Sequence, residues 1–259
     1  MDVLFGAGDW GVFLPCVQAF LRGQNPYLIG EGFRKVYEPF WTYIILAPFA
    51  MLPLWPGRIL LFAISMIAFA VTAIKMGAKP WQLFLFLLSA TVMGDVYDGN
   101  INWLVTLGIW MPPAIGLFFV MMKPQIGACI ALYWMYIAWK QGGLQKVATT
   151  FAPVTIGYLI SFALYGFWFK ELFGMPYNPA NISTFPYAIP IGVLLLVLSL
   201  RNQKKNLSSF VSPLFAPYTT RQNYAVSLLS LFEYPHLFVA AWAVTWIPLL
   251  IEAFVLAKH

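Results

Sequence analysis

The first forty residues carry the densest group of ionisable side chains in an otherwise apolar chain. Four of the nine acidic residues lie there together with three cations: Asp2, Asp9, Glu31 and Glu38 with Arg22, Arg34 and Lys35. A carboxylate within hydrogen-bond reach of a hydroxyl group can act as its general base. Cations can bind an anionic group such as a phosphate. We therefore expect chemistry at this end of the chain.

A second polar island spans residues 94–102 and contains two carboxylates and two amides. Asp95 and Asp98 are three residues apart and could bind a metal ion or an acceptor, although two carboxylates without a third ligand more often only solvate a loop. Asn100 and Asn102 could cap the loop backbone or contact a sugar. The sequence leaves both pairs of readings open.

Lys123 is an isolated cation between Met122 and Pro124 in an apolar stretch. On insertion scales a charged residue at the centre of a membrane helix costs about 2.5 to 3.5 kcal/mol unless a cavity or an anion receives it. Lys123 therefore either binds an anion or extends its apolar stem to the membrane interface. Arg58 and Arg22 are further candidates for binding an anion.

The composition indicates a polytopic membrane protein with an all-α fold. Hydrophobic residues make up 61% of the chain and charged residues 9%, and the mean hydropathy is +0.76. This leaves too little polar surface for an ordinary soluble domain. The net charge of +6 comes from cations that sit in small groups between apolar runs, as in membrane loops. We therefore predict a lipid bilayer, and no nucleic acid, as the partner of this surface.

The spacing of charges and prolines predicts about eight to ten membrane segments, several of them short or broken at proline. We expect one transmembrane domain over residues 1–259, with an outer loop and juxtamembrane helices in 1–57 and a transmembrane bundle in 58–259. The predicted segments are 59–74, 81–93, three short ones within 103–139, then 147–169, 185–200, 207–217, 223–232 and 236–255. Prolines in 40–53 indicate helices along the interface or re-entrant ones.

Three groups of cations predict the orientation: Lys75 and Lys79, then Lys140 and Lys146, then Arg201, Lys204 and Lys205. Cytoplasmic loops are enriched in Lys and Arg, and the predicted number of crossings between these groups is even, so all three groups can face the cytoplasm. Asp95, Asp98, Lys170 and Glu171 then lie on the outer face. Asp9 joins them if 40–53 does not cross the membrane.

Several short motifs, in order along the chain, resemble glycosyltransferase family 87. They are Asp9, Arg22-Gly23-Gln24-Asn25-Pro26-Tyr27, Tyr37-Glu38-Pro39, the run 45–53 (ILAPFAMLP), Gly99-Asn100-Ile101-Asn102, Lys123-Pro124 and Ser212-Pro213. The family consists of GT-C class membrane enzymes that use a polyprenyl-phosphate sugar, typically mannose, as donor. The resemblance implies a helical membrane enzyme, a mannosyltransferase or related hexosyltransferase, in a bacterial cytoplasmic membrane.

The resemblance also implies roles for individual residues. Asp9 would lie in the first outer loop and act as general base on the acceptor hydroxyl, with the proline-rich segment as juxtamembrane helices. The donor would be bound by residues drawn from these motifs and by the candidate cations: Lys123, Arg58, Arg22, Tyr37, Glu38, Asn100 and Asn102. No cofactor is implied, and Asp95 and Asp98 remain the weak candidates for a metal ion.

Two other functions stay open. The chain begins eight residues before Asp9, whereas the family has a transmembrane helix there, and residues 214–218 lack the family's Trp and His. A noncatalytic membrane subunit, which would have a membrane-protein partner, is therefore the first alternative. A transporter of a lipid-linked substrate is the second, although transporters commonly show repeated broken helices, and none are evident here.

Overall fold

The computed structural model describes residues 8–170 and 180–256, and within them the chain forms twelve α-helices and no β-strand. This confirms the predicted all-helical class. In chain order the helices are α1 (Asp9–Leu21), α2 (Trp41–Ala50), α3 (Leu54–Lys75), α4 (Pro80–Leu87), α5 (Ala90–Asp98), α6 (Asn102–Trp110), α7 (Pro113–Val120), α8 (Pro124–Tyr165), α9 (Ile189–Asn202), α10 (Lys205–Phe215), α11 (Ala225–Leu229) and α12 (Pro235–Leu256).

The N-terminal segment is more ordered than a loop. Asp9 is the first residue of the 13-residue helix α1, which packs against α2. Tyr27 fixes the connection between α1 and α2. Its ring stacks on that of Trp168 with 4.6 Å between the ring centroids, and its hydroxyl donates to the Glu38 carbonyl at 2.9 Å. Asp9 was expected in a loop, whereas Asp9 belongs to a helix and the connection between α1 and α2 is the part without an α-helix.

The stretch 103–139 forms the three helices expected from its prolines. Pro113 and Pro124 each occupy the first position of a helix, where the missing N–H costs nothing, so α7 and α8 begin there. The predicted end of the third segment near Lys140 is instead a bend. Helix α8 continues to Tyr165, and the non-helical backbone of Gly142 and Gly143 turns it.

Close contacts between glycines and neighbouring elements hold α6, α7 and α8 together. A Cβ on Gly127 would overlap the Val120 carbonyl oxygen, and a Cβ on Gly116 would lie 2.6 Å from the Trp134 ring. The elbow between α7 and α8 therefore accepts only glycine at position 127. Lys123 sits at the apex of this elbow.

Among the described residues, two helices, α3 and α8, are long and apolar enough to cross a membrane. Helices α1, α2, α9 and most of α12 are apolar but shorter. Large apolar side chains nevertheless remain exposed along several helices. They include Ile59, Ile67 and Ile74 on α3, Ile156, Leu159 and Leu164 on α8, Ile191 and Leu194 on α9, and Val244, Ile247 and Leu250 on α12.

The buried core is largely aromatic and joins segments that are far apart in the sequence. Tyr43 and Phe69 are fully buried, and the Gln82 amide donates to the Phe232 carbonyl at 2.9 Å. Cys16 and Cys129 are free and buried. Helix α10 packs against α8, so residues near position 220 come close to the α7–α8 elbow.

Candidate functional site

A polar cavity of about 310 Å³ lies where the N-terminus of α1, the connection before α2, the end of α5 and the α7–α8 elbow converge. Residues between α10 and α11 complete its wall. The polar and ionisable side chains that line it are Asp9, Lys35, Tyr37, Glu38, Asp98, Asn100, Lys123, Gln125, Tyr218, Thr220, Gln222 and Asn223. The first forty residues thus meet the polar island 94–102 and Lys123 in one place.

Asn100 connects the carboxylate of Asp9 to the ammonium of Lys123. Its Nδ2 donates to Asp9 Oδ2 in a short hydrogen bond, while its Oδ1 accepts from Lys123 Nζ at 2.6 Å. Oδ1 also accepts from the Ile101 N–H at 2.7 Å. Because the two donors require an oxygen at that position, the amide can turn only its NH₂ towards Asp9.

Local chain geometry explains the position of Asn100. Helix α5 ends at Gly99 with φ of +70°, a left-handed conformation that glycine adopts without cost, and the Asn100 N–H donates back to the Asp95 carbonyl at 3.0 Å. Arg58 and Trp10 occupy the space next to Gly99, and a Cβ there would lie 2.7 Å from Trp10 Cβ. This packed turn aims Asn100 into the cavity.

Glu38 is the nearest carboxylate to the Lys123 ammonium. Its Oε1 lies 4.0 Å from Lys123 Nζ, and its Oε2 accepts from the Tyr37 N–H at 3.0 Å. Burial raises the pKa of Glu38, and the attraction of Lys123 opposes that rise. Lys123, which is 7% exposed, is therefore partnered by both an amide and a carboxyl group.

Asp98 is the third carboxyl group of the cavity. It accepts a hydrogen bond from Gln222 Nε2 at 2.6 Å and packs closely against Gly8, at the start of α1. Burial and then the neighbouring charge of Asp9 raise the pKa of Asp98. Asp98 therefore holds its proton more tightly than an ordinary aspartate does.

The two weak candidates for a metal site do not form one. Asp95 is fully buried and does not line the cavity, and burial raises its pKa well above the usual range. Within residues 8–170 and 180–256, no group of three His, Cys, Asp or Glu side chains could hold a metal ion.

Three of the predicted donor-binding residues lie away from the cavity surface. Arg22 is exposed and its Nε donates to Gln24 at 3.4 Å, so it faces solvent instead. Arg58 is buried behind Gly99. Asn102 is also buried, and its amide donates at 3.1 Å to Asn223, which does line the cavity. Arg58 and Asn102 therefore support the wall, and Asp2 and Glu171 lie outside the described residues.

A group of aromatic residues in the first half of the sequence predicts either an interfacial belt or a groove that stacks on a sugar and a prenyl chain: Tyr27, Tyr37, Trp41, Tyr43, Trp55 and Trp103. Most of them are in the core instead. Tyr27, Tyr43, Trp41 and Trp103 are at most 8% exposed. The Trp41 indole donates to the Phe118 carbonyl at 2.9 Å, which fixes α2 to α7. Tyr37 is the aromatic residue of this predicted set that lines the cavity.

Sequence reasoning missed the contribution of residues 218–223. Tyr218, Thr220, Gln222 and Asn223 all line the cavity, far along the chain from Asp9. The polar run 219–223 (TTRQN) between two apolar segments was the available signal. Ser212 has a structural role, because its hydroxyl accepts from the Cys129 N–H at 3.0 Å.

No protein-family model matches this chain, and no curated protein or solved structure matches it either. The function must therefore be argued from the cavity itself. Its arrangement combines a half-exposed carboxylate, an amide that orients it, and a buried ammonium on the same wall. These groups can accept a proton from a hydroxyl and stabilise a phosphate within one small volume.

Proposed function

We propose that this protein is a GT-C type membrane glycosyltransferase that moves a mannose-like sugar from a polyprenyl-phosphate donor to an acceptor on the outer face of the membrane. The observation that carries the proposal is that Asp9 and Lys123 line the same cavity and are joined through Asn100. The resemblance of the motifs around these three residues to glycosyltransferase family 87 supports the same assignment.

In the proposed reaction an acceptor hydroxyl oxygen attacks the anomeric carbon of the sugar, and the bond from that carbon to the phosphate oxygen breaks. Asp9 takes the hydroxyl proton, because a neutral sugar hydroxyl is a poor nucleophile. The lipid phosphate leaves with the bonding electrons, and Lys123 compensates its charge. Asn100 holds the carboxylate in place throughout.

The exposed apolar helices support a membrane location with several spans. Helix α3 has 22 residues, a length of about 33 Å, which matches the hydrocarbon core. The exposed apolar side chains of α3, α8, α9 and α12 together form a surface larger than the scattered apolar residues of soluble proteins. We infer that these helices contact lipid and that the shorter helices pack among them.

The distribution of cations supports an outer-face cavity. Lys123 and Lys140, at the two ends of the straight first part of α8, are separated by about 25 Å at the rise of an α-helix. Lys75 lies over the Trp110 ring, and Lys205 donates to the Ile109 carbonyl at 2.8 Å, so cations from α3 and α10 gather beyond the far end of α6. By the positive-inside rule this basic end faces the cytoplasm.

Transfer from a polyprenyl-phosphate sugar is the direct test. The wild-type protein in nanodiscs should transfer labelled sugar to an acceptor, and Asp9→Asn should lower kcat by about 100-fold or more, the usual contribution of a general base. Glu31→Gln is the matched control, since Glu31 is exposed and does not line the cavity. Equal transfer by wild type and Asp9→Asn would remove Asp9 from the mechanism.

A noncatalytic membrane subunit derived from such an enzyme is the second candidate. Its support is that Asp9 already has an internal hydrogen-bond donor in Asn100, as a structural carboxylate would. Absence of transfer by the wild-type protein with every polyprenyl-phosphate sugar, combined with copurification of one membrane protein at constant ratio, would favour this candidate over the enzyme. No structural observation on the described residues favours the transporter.

A further inference from the structure

Asp95 is a buried carboxyl group that the proposed reaction does not use. It lies on α5, is fully buried and does not line the polar cavity. Neither of its carboxyl oxygens accepts a hydrogen bond from residues 8–170 and 180–256. An ionised carboxylate in such surroundings is far more costly than a neutral carboxyl group, so the site favours a bound proton.

The side chain of Asn102, the first residue of α6, lies within hydrogen-bonding range of the Asp95 carboxyl group. Asn102 is 1% exposed, and its Oδ1 also lacks a hydrogen-bond partner among the described residues. Its Nδ2 donates to Asn223 Oδ1 at 3.1 Å. Asp95 and Asn102 therefore bring acceptor oxygens together without a donor. A proton on Asp95 supplies that donor, because a carboxyl hydroxyl can donate to Asn102 Oδ1.

Asn223 connects this buried pair to the polar cavity, which it lines although it is only 2% exposed. Its Oδ1 accepts from Asn102 inside the wall. The amide can therefore offer a ligand only its NH₂ group. The hydrogen bonds then run in one direction, from Asp95 through Asn102 to Asn223 and on to the cavity.

Loss of the proton on Asp95 would favour the opposite direction. A carboxylate can only accept, so it would attract the NH₂ of Asn102 and leave the oxygen of that amide to face Asn223. Asn223 would then donate into the wall and offer its own oxygen to the cavity. The proton on Asp95 thus decides whether the wall presents a donor or an acceptor at position 223.

Charged groups on α5 and on the elements around it influence this proton: Asp9, Asp98, Lys123, Arg58 beside Gly99, and Arg221 beside Gly94. The two aspartates favour the protonated form of Asp95, and Lys123 opposes it. Burial has the largest influence on the pKa of Asp95 and raises it. The surroundings therefore agree with the need for a donor.

We propose that Asp95 is a positioning residue that carries a proton and, through Asn102, holds the Asn223 amide with its NH₂ group towards the ligand. The matching group on the ligand is an oxygen that accepts a hydrogen bond, such as a hydroxyl oxygen of the bound sugar. That this ligand is a sugar rests on the proposed function. The proton on Asp95 and the direction of the hydrogen bonds do not.

Infrared spectroscopy of the full chain in nanodiscs tests the proton without any substrate. At neutral pH the C=O stretching band of a protonated carboxyl group should be present in the wild type and missing in Asp95→Asn. Asn102→Leu removes the acceptor of the Asp95 hydroxyl and should shift this band to higher frequency. Asn206→Ala is the control and should leave the band unchanged, because the Asn206 amide bonds to Glu233 on the exposed surface.

Transfer kinetics test the consequence for the ligand. Asp95→Asn keeps an NH₂ donor for Asn102, so KM for the polyprenyl-phosphate sugar should stay near the wild-type value. Asp95→Leu has no donor and should raise KM by roughly tenfold, the cost of a lost hydrogen bond. Asn223→Asp turns an oxygen to the cavity and should raise KM similarly, which keeps the test decisive if Asp95→Leu does not fold.

Several outcomes would overturn the inference. Identical carboxyl bands in the wild type and Asp95→Asn would show that Asp95 is ionised. An unshifted band in Asn102→Leu would exclude the hydrogen bond between the two side chains. Equal loss of donor binding in Asp95→Asn and Asp95→Leu, or wild-type KM in both Asp95→Leu and Asn223→Asp, would exclude the positioning role.

Failure of the proposed function can be distinguished from failure of this inference. If the wild type transfers no sugar but the carboxyl band depends on Asp95 and Asn102 as expected, the protonated Asp95 stands without the transferase. If sugar is transferred and the wild type lacks the band, the transferase stands and the role of Asp95 does not.

Discussion

Asn100 donates its side-chain amide to the carboxylate of Asp9, 91 positions earlier in the chain. The oxygen of the same amide accepts from Lys123, so a single side chain contacts both groups on which the proposed reaction depends. The relationship makes Asn100 a positioning residue whose loss should affect the base and the cation together. Four predictions follow from the cavity and one from the membrane orientation.

Asn100→Ala should lower kcat by about 100-fold, because a carboxylate that moves by an ångström loses its alignment with the acceptor hydroxyl. Steady-state transfer kinetics at saturating donor would measure this. Asn206→Ala is a matched control, since the Asn206 amide bonds to Glu233 on the exposed surface. Wild-type kcat in Asn100→Ala would contradict a positioning role.

Lys123→Met should weaken donor binding by roughly tenfold or more, because the ammonium that meets the phosphate is replaced by an uncharged chain of similar length. The measurement is KM for the polyprenyl-phosphate sugar together with its Kd. Lys75→Met removes an exposed cation near Trp110 and should change neither. An equal effect of the two substitutions would point to general electrostatics instead of a contact at Lys123.

Gly99→Ala should destabilise the folded protein by about 1 to 3 kcal/mol, because the new Cβ combines a left-handed backbone with overlap against Arg58 and Trp10. Thermal unfolding in detergent would measure the loss. Gly23→Ala provides the comparison, with φ of +73° and open space around the new Cβ. Similar costs at both positions would mean that the packing around Gly99 contributes little.

Because of Glu38, the free energy of unfolding should decrease as the pH rises. Its pKa is raised in the folded protein by burial, so the folded state keeps a proton that the unfolded state has already lost. The stabilising contribution is complete below the ordinary glutamate pKa and is lost as pH rises through the folded value. In Glu38→Gln the melting temperature should depend less on pH across the acidic range. If the pH dependence is unchanged, it arises from other titratable groups.

The orientation can be tested with single cysteines, since Cys16 and Cys129 are buried. In right-side-out vesicles Lys170→Cys should react with a membrane-impermeant maleimide. Leu144→Cys, at the bend of α8 and 72% exposed, should react only after the vesicles are opened. The reverse pattern would place the polar cavity on the cytoplasmic side.

Helices that begin at a proline could be predicted from the sequence. Helices that depend on tertiary packing could not. The breaks before α7 and α8 follow from Pro113 and Pro124, whose rings have local effects. Helix α1 was not expected, because its apolar run follows directly on a polar start and contains Pro15, and because the helix depends on packing against α2. The bend at Gly142 likewise looks like a helix end when only the chain is read.

Part of the cavity lining could be predicted from the sequence. Asp9 was singled out in the polar N-terminal segment, Asn100 in the polar island 94–102 and Lys123 as an isolated cation in an apolar stretch, and each lines the cavity. Arg22, a predicted donor-binding residue, lies outside the cavity, because the turn after α1 directs it to solvent. Gln222 and Asn223 were missed, since only the packing of α10 on α8 brings that distant segment to the α7–α8 elbow.

The contact between Gly127 and the Val120 carbonyl has a consequence for how a ligand is received. With no room for a side chain at position 127, α7 and α8 meet closely, and the backbone that carries Lys123 is fixed. Asn100 Oδ1 then holds the Lys123 ammonium at 2.6 Å, so the charge is in place before any ligand arrives. In the proposed reaction the reorganisation needed for binding therefore falls on the incoming lipid.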